Sequence, residues 1–92
     1  MNNVEFEIKS RKIGFHHDPL VIAEIGINHG GSLELAKKMA DLAIDAGVDV
    51  VKHQTHIVED EMSKEADKDV IEYIGKSIYK LMDDCSLSLD EE

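Results

Sequence analysis

The sequence predicts an α/β fold, with an N-terminal β-hairpin followed by two βα units of a parallel sheet. Three observations lead there. Residues 20–25, Leu-Val-Ile-Ala-Glu-Ile, form a near-continuous apolar run broken by one carboxylate, the pattern of a strand covered on both faces. Apolar residues then recur at helical spacing through Leu35, Ala36, Met39, Ala40, Ala43 and Ala46. Val48, Val50 and Val51 form a second strand after it, and the order strand, helix, strand is the signature of a right-handed βαβ crossover.

Val4, Phe6 and Ile8 alternate with Glu5 and Glu7, and Ile13 and Phe15 resume apolar positions after a polar stretch, which reads as a hairpin. Pro19 closes that unit and sets the next segment extended. Residues 26–31 form a glycine-rich loop, and Ser32 is placed to cap the helix, with Glu34 in the first turn. Gly47 stands where a left-handed residue ends such a helix. The second strand runs into Lys52-His53-Gln54-Thr55-His56, and residues 59–69 form a polar connection after it. Val70, Ile71, Ile74, Ile78, Leu81 and Met82 then predict a second helix over residues 68–84. Ser88 and Glu91 have capping-box spacing, which announces a further helix. Two parallel strands and a hairpin cannot shield a Val/Ile-rich run on both faces, so more chain or another copy is expected to cover them.

A length of 92 residues sets one domain as the ceiling, with apolar burial only marginally sufficient for independent stability. The net charge is −10, unevenly placed: residues 1–58 hold eight acidic and six basic residues, residues 59–92 twelve and four. So acidic a second half argues against binding nucleic acid or an anionic membrane surface. Cys85 is the sole cysteine, which excludes an intrachain disulfide. With no span-length apolar stretch and no signal-peptide pattern, a reducing, cytoplasmic setting is expected.

In parallel α/β folds functional groups gather at the carboxyl ends of strands. That rule selects Glu24, Asn28 and His29 at the first strand, and residues 52–56 at the second. Strand alternation puts Lys52, Gln54 and His56 on one face, His53 and Thr55 on the other. Lys52 beside the Gln54 amide suits a phosphate or carboxylate, charge from one and direction from the other. Equally, Lys52 could neutralise Glu24 with no ligand involved. A carboxylate inside an apolar run needs a partner, and it could handle a proton, a sugar hydroxyl or a metal-bound water. His53 and His56 face opposite ways, which argues against a shared metal; His29 could ligate or bond backbone groups in its loop. The Gly30-Gly31-Ser32 turn lacks dinucleotide and Walker patterns and reads as a plain helix start.

Pro19-Leu20-Val21-Ile22-Ala23-Glu24-Ile25-Gly26-Ile27-Asn28-His29-Gly30-Gly31-Ser32 resembles the opening strand and loop of N-acetylneuraminate (sialic acid) synthases. Val51-Lys52-His53-Gln54-Thr55-His56-Ile57-Val58-Glu59-Asp60-Glu61-Met62-Ser63 is similar to the second strand and loop of the bacterial branch. Ser77-Ile78-Tyr79 and the Cys85 region extend the likeness over most of the chain. The resemblance implies a partial (β/α)8 TIM barrel, residues 1–18 forming a hairpin that covers its bottom and residues 19–92 its first two βα units. It implies condensation of phosphoenolpyruvate with N-acetylmannosamine, a divalent Mn2+ or Mg2+ whose ligands lie mostly outside this chain, and a homodimeric parent enzyme with a small C-terminal antifreeze-like domain. Carried over, Lys52 and Gln54 hold phosphoenolpyruvate with Asn28 as a further substrate contact, and Glu24 assists proton and water chemistry. Alone, the piece is expected to be inactive. At residues 70–75 the chain departs from the family's pattern, and synthases of legionaminic or pseudaminic acid stay open beside the sialic acid reading. So does a non-catalytic interaction module.

Overall fold

The computed structural model describes residues 3–92; Met1 and Asn2, part of the expected hairpin unit, lie outside the described residues. Strands β1 (Glu5–Ile8) and β2 (Arg11–Gly14) pair antiparallel, with Ile8 opposite Arg11. That register leaves only Lys9 and Ser10 in the turn, at φ 45° and 68°. Two left-handed central residues make a primed turn, whose twist matches that of the strands it joins.

Arg11 fastens this hairpin to the segment leading into the third strand. Its guanidinium donates to the carbonyls of Lys12 (2.8 Å), Asp18 (3.1 Å) and Pro19 (3.2 Å), and its Nε reaches Asp49 Oδ1 at 3.4 Å. Asp49 Oδ2 in turn accepts the Val21 N–H at 2.8 Å. The Val21 N–H first, and Arg11 second, hold the Asp49 carboxyl below the usual aspartate range.

The βαβ unit comes next, as the apolar pattern predicts. β3 (Ile22–Gly26) and β4 (Val50–His53) pair in parallel, with α1 (Leu33–Asp45) between them in sequence. Ser32 caps α1, its Oγ accepting the Leu35 N–H at 3.1 Å. Gly47 is left-handed at φ 88°. The sheet-facing stripe is phased slightly differently from the expected one. Leu33, Ala36, Met39, Ala40 and Ala43 are half-buried, whereas Leu35 and Ala46 are exposed, because the row 33, 36, 40, 43 keeps closer helical register.

The expected helix over residues 68–84 is corrected. Its place is taken by a short antiparallel pair, β5 (Val70–Ile71) and β6 (Lys76–Ser77), and a helix that begins only at Ile78. Gly75 explains the break: at φ 78° it closes a turn in which the Ile74 and Gly75 N–H groups both donate to the Ile71 carbonyl, at 3.0 and 2.8 Å. Val70 and Ile71 then extend, as β-branched residues prefer. Buried Ser77 starts the true helix, its Oγ accepting the Lys80 N–H and donating to Asp67 Oδ1. That helix is α3 (Ile78–Cys85). The polar connection before it is not structureless either; it holds α2 (Val58–Glu61) and a 3-10 turn over Lys64–Lys68.

The described residues thus form a small mixed α/β structure with three two-stranded sheets, not one continuous sheet, and they do not form a barrel. Among them the buried apolar residues are Ile25, Val58 and Leu87. The accessible surface, 7144 Å², exceeds the roughly 5,400 Å² of a compact monomer of this mass. Its radius of gyration, 17.7 Å, exceeds the roughly 12 Å of a closed domain. No helix among the described residues is long and apolar enough to cross a membrane.

Candidate active site

Parallel pairing sets Glu24 directly opposite Lys52. Immediately beyond, the register slips between Glu24 and Gly26, so that Gly26 faces His53. Past the end of β4, Gln54 lies on the same side as Lys52 and folds back onto Glu24: its Nε2 donates to Glu24 Oε1 at 3.0 Å. Lys52 Nζ stands 3.9 Å from the same oxygen. The structure therefore gathers Glu24, Lys52 and Gln54 at one point, and the closer partner of Glu24 is the amide.

Contrary to the expectation of a buried carboxylate, the Glu24 side chain is 54% exposed and that of Lys52 58%. Such an exposed pair contributes at most about 1 kcal/mol, so it is no structural keystone. One carboxylate, one ammonium and one amide with an unused hydrogen remain open to a ligand.

Two further residues join this cluster without having been singled out together by sequence. His56 Nε2 lies 3.0 Å from Gln54 Oε1, and its Nδ1 lies 2.8 Å from Glu61 Oε2. Glu61 also accepts the Ile57 N–H at 3.1 Å. Alternation along the strand foretells His56 on this face; Glu61 arrives through α2, a short helix inside the stretch expected to be a polar connection.

Asn28 is not hydrogen-bonded to the cluster. It turns its amide back to the Ile25 carbonyl at 2.7 Å, shaping the loop between β3 and α1. His29 is buried, and its Nδ1 accepts the Gly31 N–H at 3.0 Å, which puts the ring proton on Nε2. That Nε2 has no hydrogen-bond partner among the described residues. His53 points to the opposite side from Lys52 and meets Glu92 at 2.6 Å, beside an apolar groove lined by Ile25, Ala36, Ala40, Val51 and Leu87. The groove excludes Glu24, Lys52 and Gln54, so the strand-end cluster and this apolar groove are separate features.

The paired parallel strands with their strand-end cluster are those of part of an α/β domain. No family model matches the chain. Among curated proteins it is 47% identical over 49 residues to the N,N'-diacetyllegionaminic acid synthase of Campylobacter jejuni, covering 53% of this chain and 15% of that protein. It is 39% identical over 56 residues to the N-acetylneuraminate-9-phosphate synthase of Homo sapiens, covering 61% of the chain and 16% of the relative. The Bacillus subtilis spore coat polysaccharide biosynthesis protein SpsE is 43% identical over 49 residues, covering 53% of the chain and 13% of the relative. By these matches the chain is similar to a fragment of synthases of the N-acetylneuraminate type, and it spans only 13% to 16% of the length of these three relatives.

Proposed function

We propose that this chain supplies part of the active site of a nonulosonic-acid synthase, one that condenses phosphoenolpyruvate with N-acetylmannosamine to give N-acetylneuraminate and phosphate. The observation that carries this reading is the convergence of Glu24, Lys52 and Gln54 at adjacent ends of two parallel strands. The phosphoenolpyruvate C3 carbon attacks the sugar aldehyde, water adds at C2, and phosphate leaves by C–O cleavage. Lys52 offsets the negative charge of the phosphoenolpyruvate end, and the free Gln54 amide hydrogen directs one of its oxygens. Glu24 takes a proton from the water that adds, or returns one to the aldehyde oxygen.

The divalent cation implied by the family finds no donor set here. Among the described residues no group of three or more His, Cys, Asp or Glu could hold an ion, and no step of this scheme passes through one. The reading also includes a cytoplasmic setting, in keeping with the free thiol of Cys85, and a homodimeric parent enzyme. A legionaminic-acid synthase is a second reading, favoured by the 47% identity to the Campylobacter relative.

A chimera tests the proposal, with this chain replacing the matching stretch of the Campylobacter synthase and phosphate release monitored with manganese, phosphoenolpyruvate and each amino sugar in competition. Turnover is expected, and Lys52→Met should lower kcat/KM about 10²–10³-fold. Undiminished turnover in Lys52→Met, Gln54→Ala and Glu24→Gln together would overturn it.

A further inference from the structure

Four side chains run in an unbroken line of hydrogen bonds: Glu24, Gln54, His56, Glu61. Chemistry fixes the orientation of each link. An ionised carboxylate only accepts, so Gln54 must turn its NH2 toward Glu24 and its carbonyl toward His56. The flipped amide would set a carbonyl oxygen against the Glu24 carboxylate, which is repulsive. His56 Nε2 therefore faces an acceptor and has to donate. Its Nδ1 faces the Glu61 carboxylate, again an acceptor, so both links close together only when the ring carries two protons.

From this we infer that His56, clamped by Glu61, is a positioning residue that fixes the Gln54 amide as a donor toward Glu24 and toward a ligand oxygen. If the ring carried its proton on Nδ1 alone, Nε2 would present a lone pair to Gln54, and the amide would be drawn to flip. Gln54 would then show a carbonyl where an anionic ligand needs a donor. His56 thus reinforces, from the other end of the amide, the orientation that Glu24 demands and that an oxyanion needs. The other charged and titratable side chains facing the His56 groove are Glu59 from α2 and Tyr79 and Asp83 from α3; none hydrogen-bonds the ring. What the donor does for phosphoenolpyruvate rests on the proposed synthase reaction, while the lock itself stands on these contacts.

The test is nuclear magnetic resonance on the chain, which involves no turnover and so separates failure of this inference from failure of the proposed reaction. Ring nitrogen shifts in the unaltered chain are expected to show a proton on His56 Nε2; a bare Nε2 would overturn the inference without any variant. Solvent exchange of the Gln54 amide protons is the second measurement. His56→Leu should speed it about tenfold, and His56→Gln, whose amide nitrogen can donate in place of Nε2, should restore slow exchange. Equal exchange in the unaltered chain and in a folded His56→Leu variant would also sink the inference. Should His56→Leu lose its folded backbone spectrum, Glu61→Ala at the exposed end of the line takes its place, with the same acceleration expected.

Discussion

Gly31 shows how closely the loop between β3 and α1 is packed. A Cβ built there would come within 2.6 Å of the Asp84 carbonyl oxygen, and the residue is left-handed at φ 89°. Gly30, beside it, is also left-handed at φ 62° but has open space around it. The two substitutions should therefore separate strain from collision. Gly30→Ala is expected to cost about 1–2 kcal/mol from the backbone alone. Gly31→Ala adds overpacking against backbone that cannot swing aside, for about 2–5 kcal/mol. Denaturant melts of the two variants check the difference; equal losses would mean that α3 does not press on the loop.

At the scale of elements, two contacts decide where structure starts and how it is joined. Ser77 both caps α3 and donates to Asp67, so Ser77→Ala uncaps the helix and leaves Asp67 without that donor. A loss of about 1–2 kcal/mol is expected, with amide exchange rising first in residues 78–81. Asp49 joins the hairpin to β3 through Arg11 and the Val21 N–H. Because its folded-state pKa lies below the usual 3.8, its contribution is complete above that value and is lost as pH falls through the lowered one. Glu91, lowered chiefly by the Ser88 N–H it accepts, obeys the same sign below 4.5. An acid titration should therefore release both the hairpin and the Ser88 turn at low pH, and Asp49→Asn should remove the hairpin's share of the acid loss. Unchanged acid behaviour of the variant would show that Arg11 holds the hairpin through carbonyls alone.

Over the whole molecule, apolar surface stays uncovered. Val21 and Ile22 at β3 are about half exposed, and Leu42 and Ile44 on α1 are 58% and 63% exposed. With so little burial, the 92-residue chain is expected to unfold over a broad range and to bind a hydrophobic dye before heating. Calorimetry and dye fluorescence together check this. A sharp, cooperative transition without dye binding would mean that the described surface is covered in solution.

The sequence by itself determined the parallel pair and its crossover helix, because a Val/Ile run, a helical apolar stripe with a serine cap and a second valine run leave few alternatives. It also determined that Glu24 and Lys52 would meet, since both stand at strand ends one crossover apart. The capping box of Ser88 and Glu91 was legible for the same local reason, and both its hydrogen bonds form. Only the tertiary structure decided the rest. The apolar spacing of residues 70–82 is helical, yet Gly75 turns the chain and a buried Ser77 restarts it, because pairing β5 with β6 satisfies backbone groups that periodicity does not count. Nor does spacing reveal that α2 carries Glu61 back to His56, or that His56 then closes on Gln54. Hydrogen bonds between side chains depend on where short elements turn, and that is settled by packing across the chain, not by the order of residues along it.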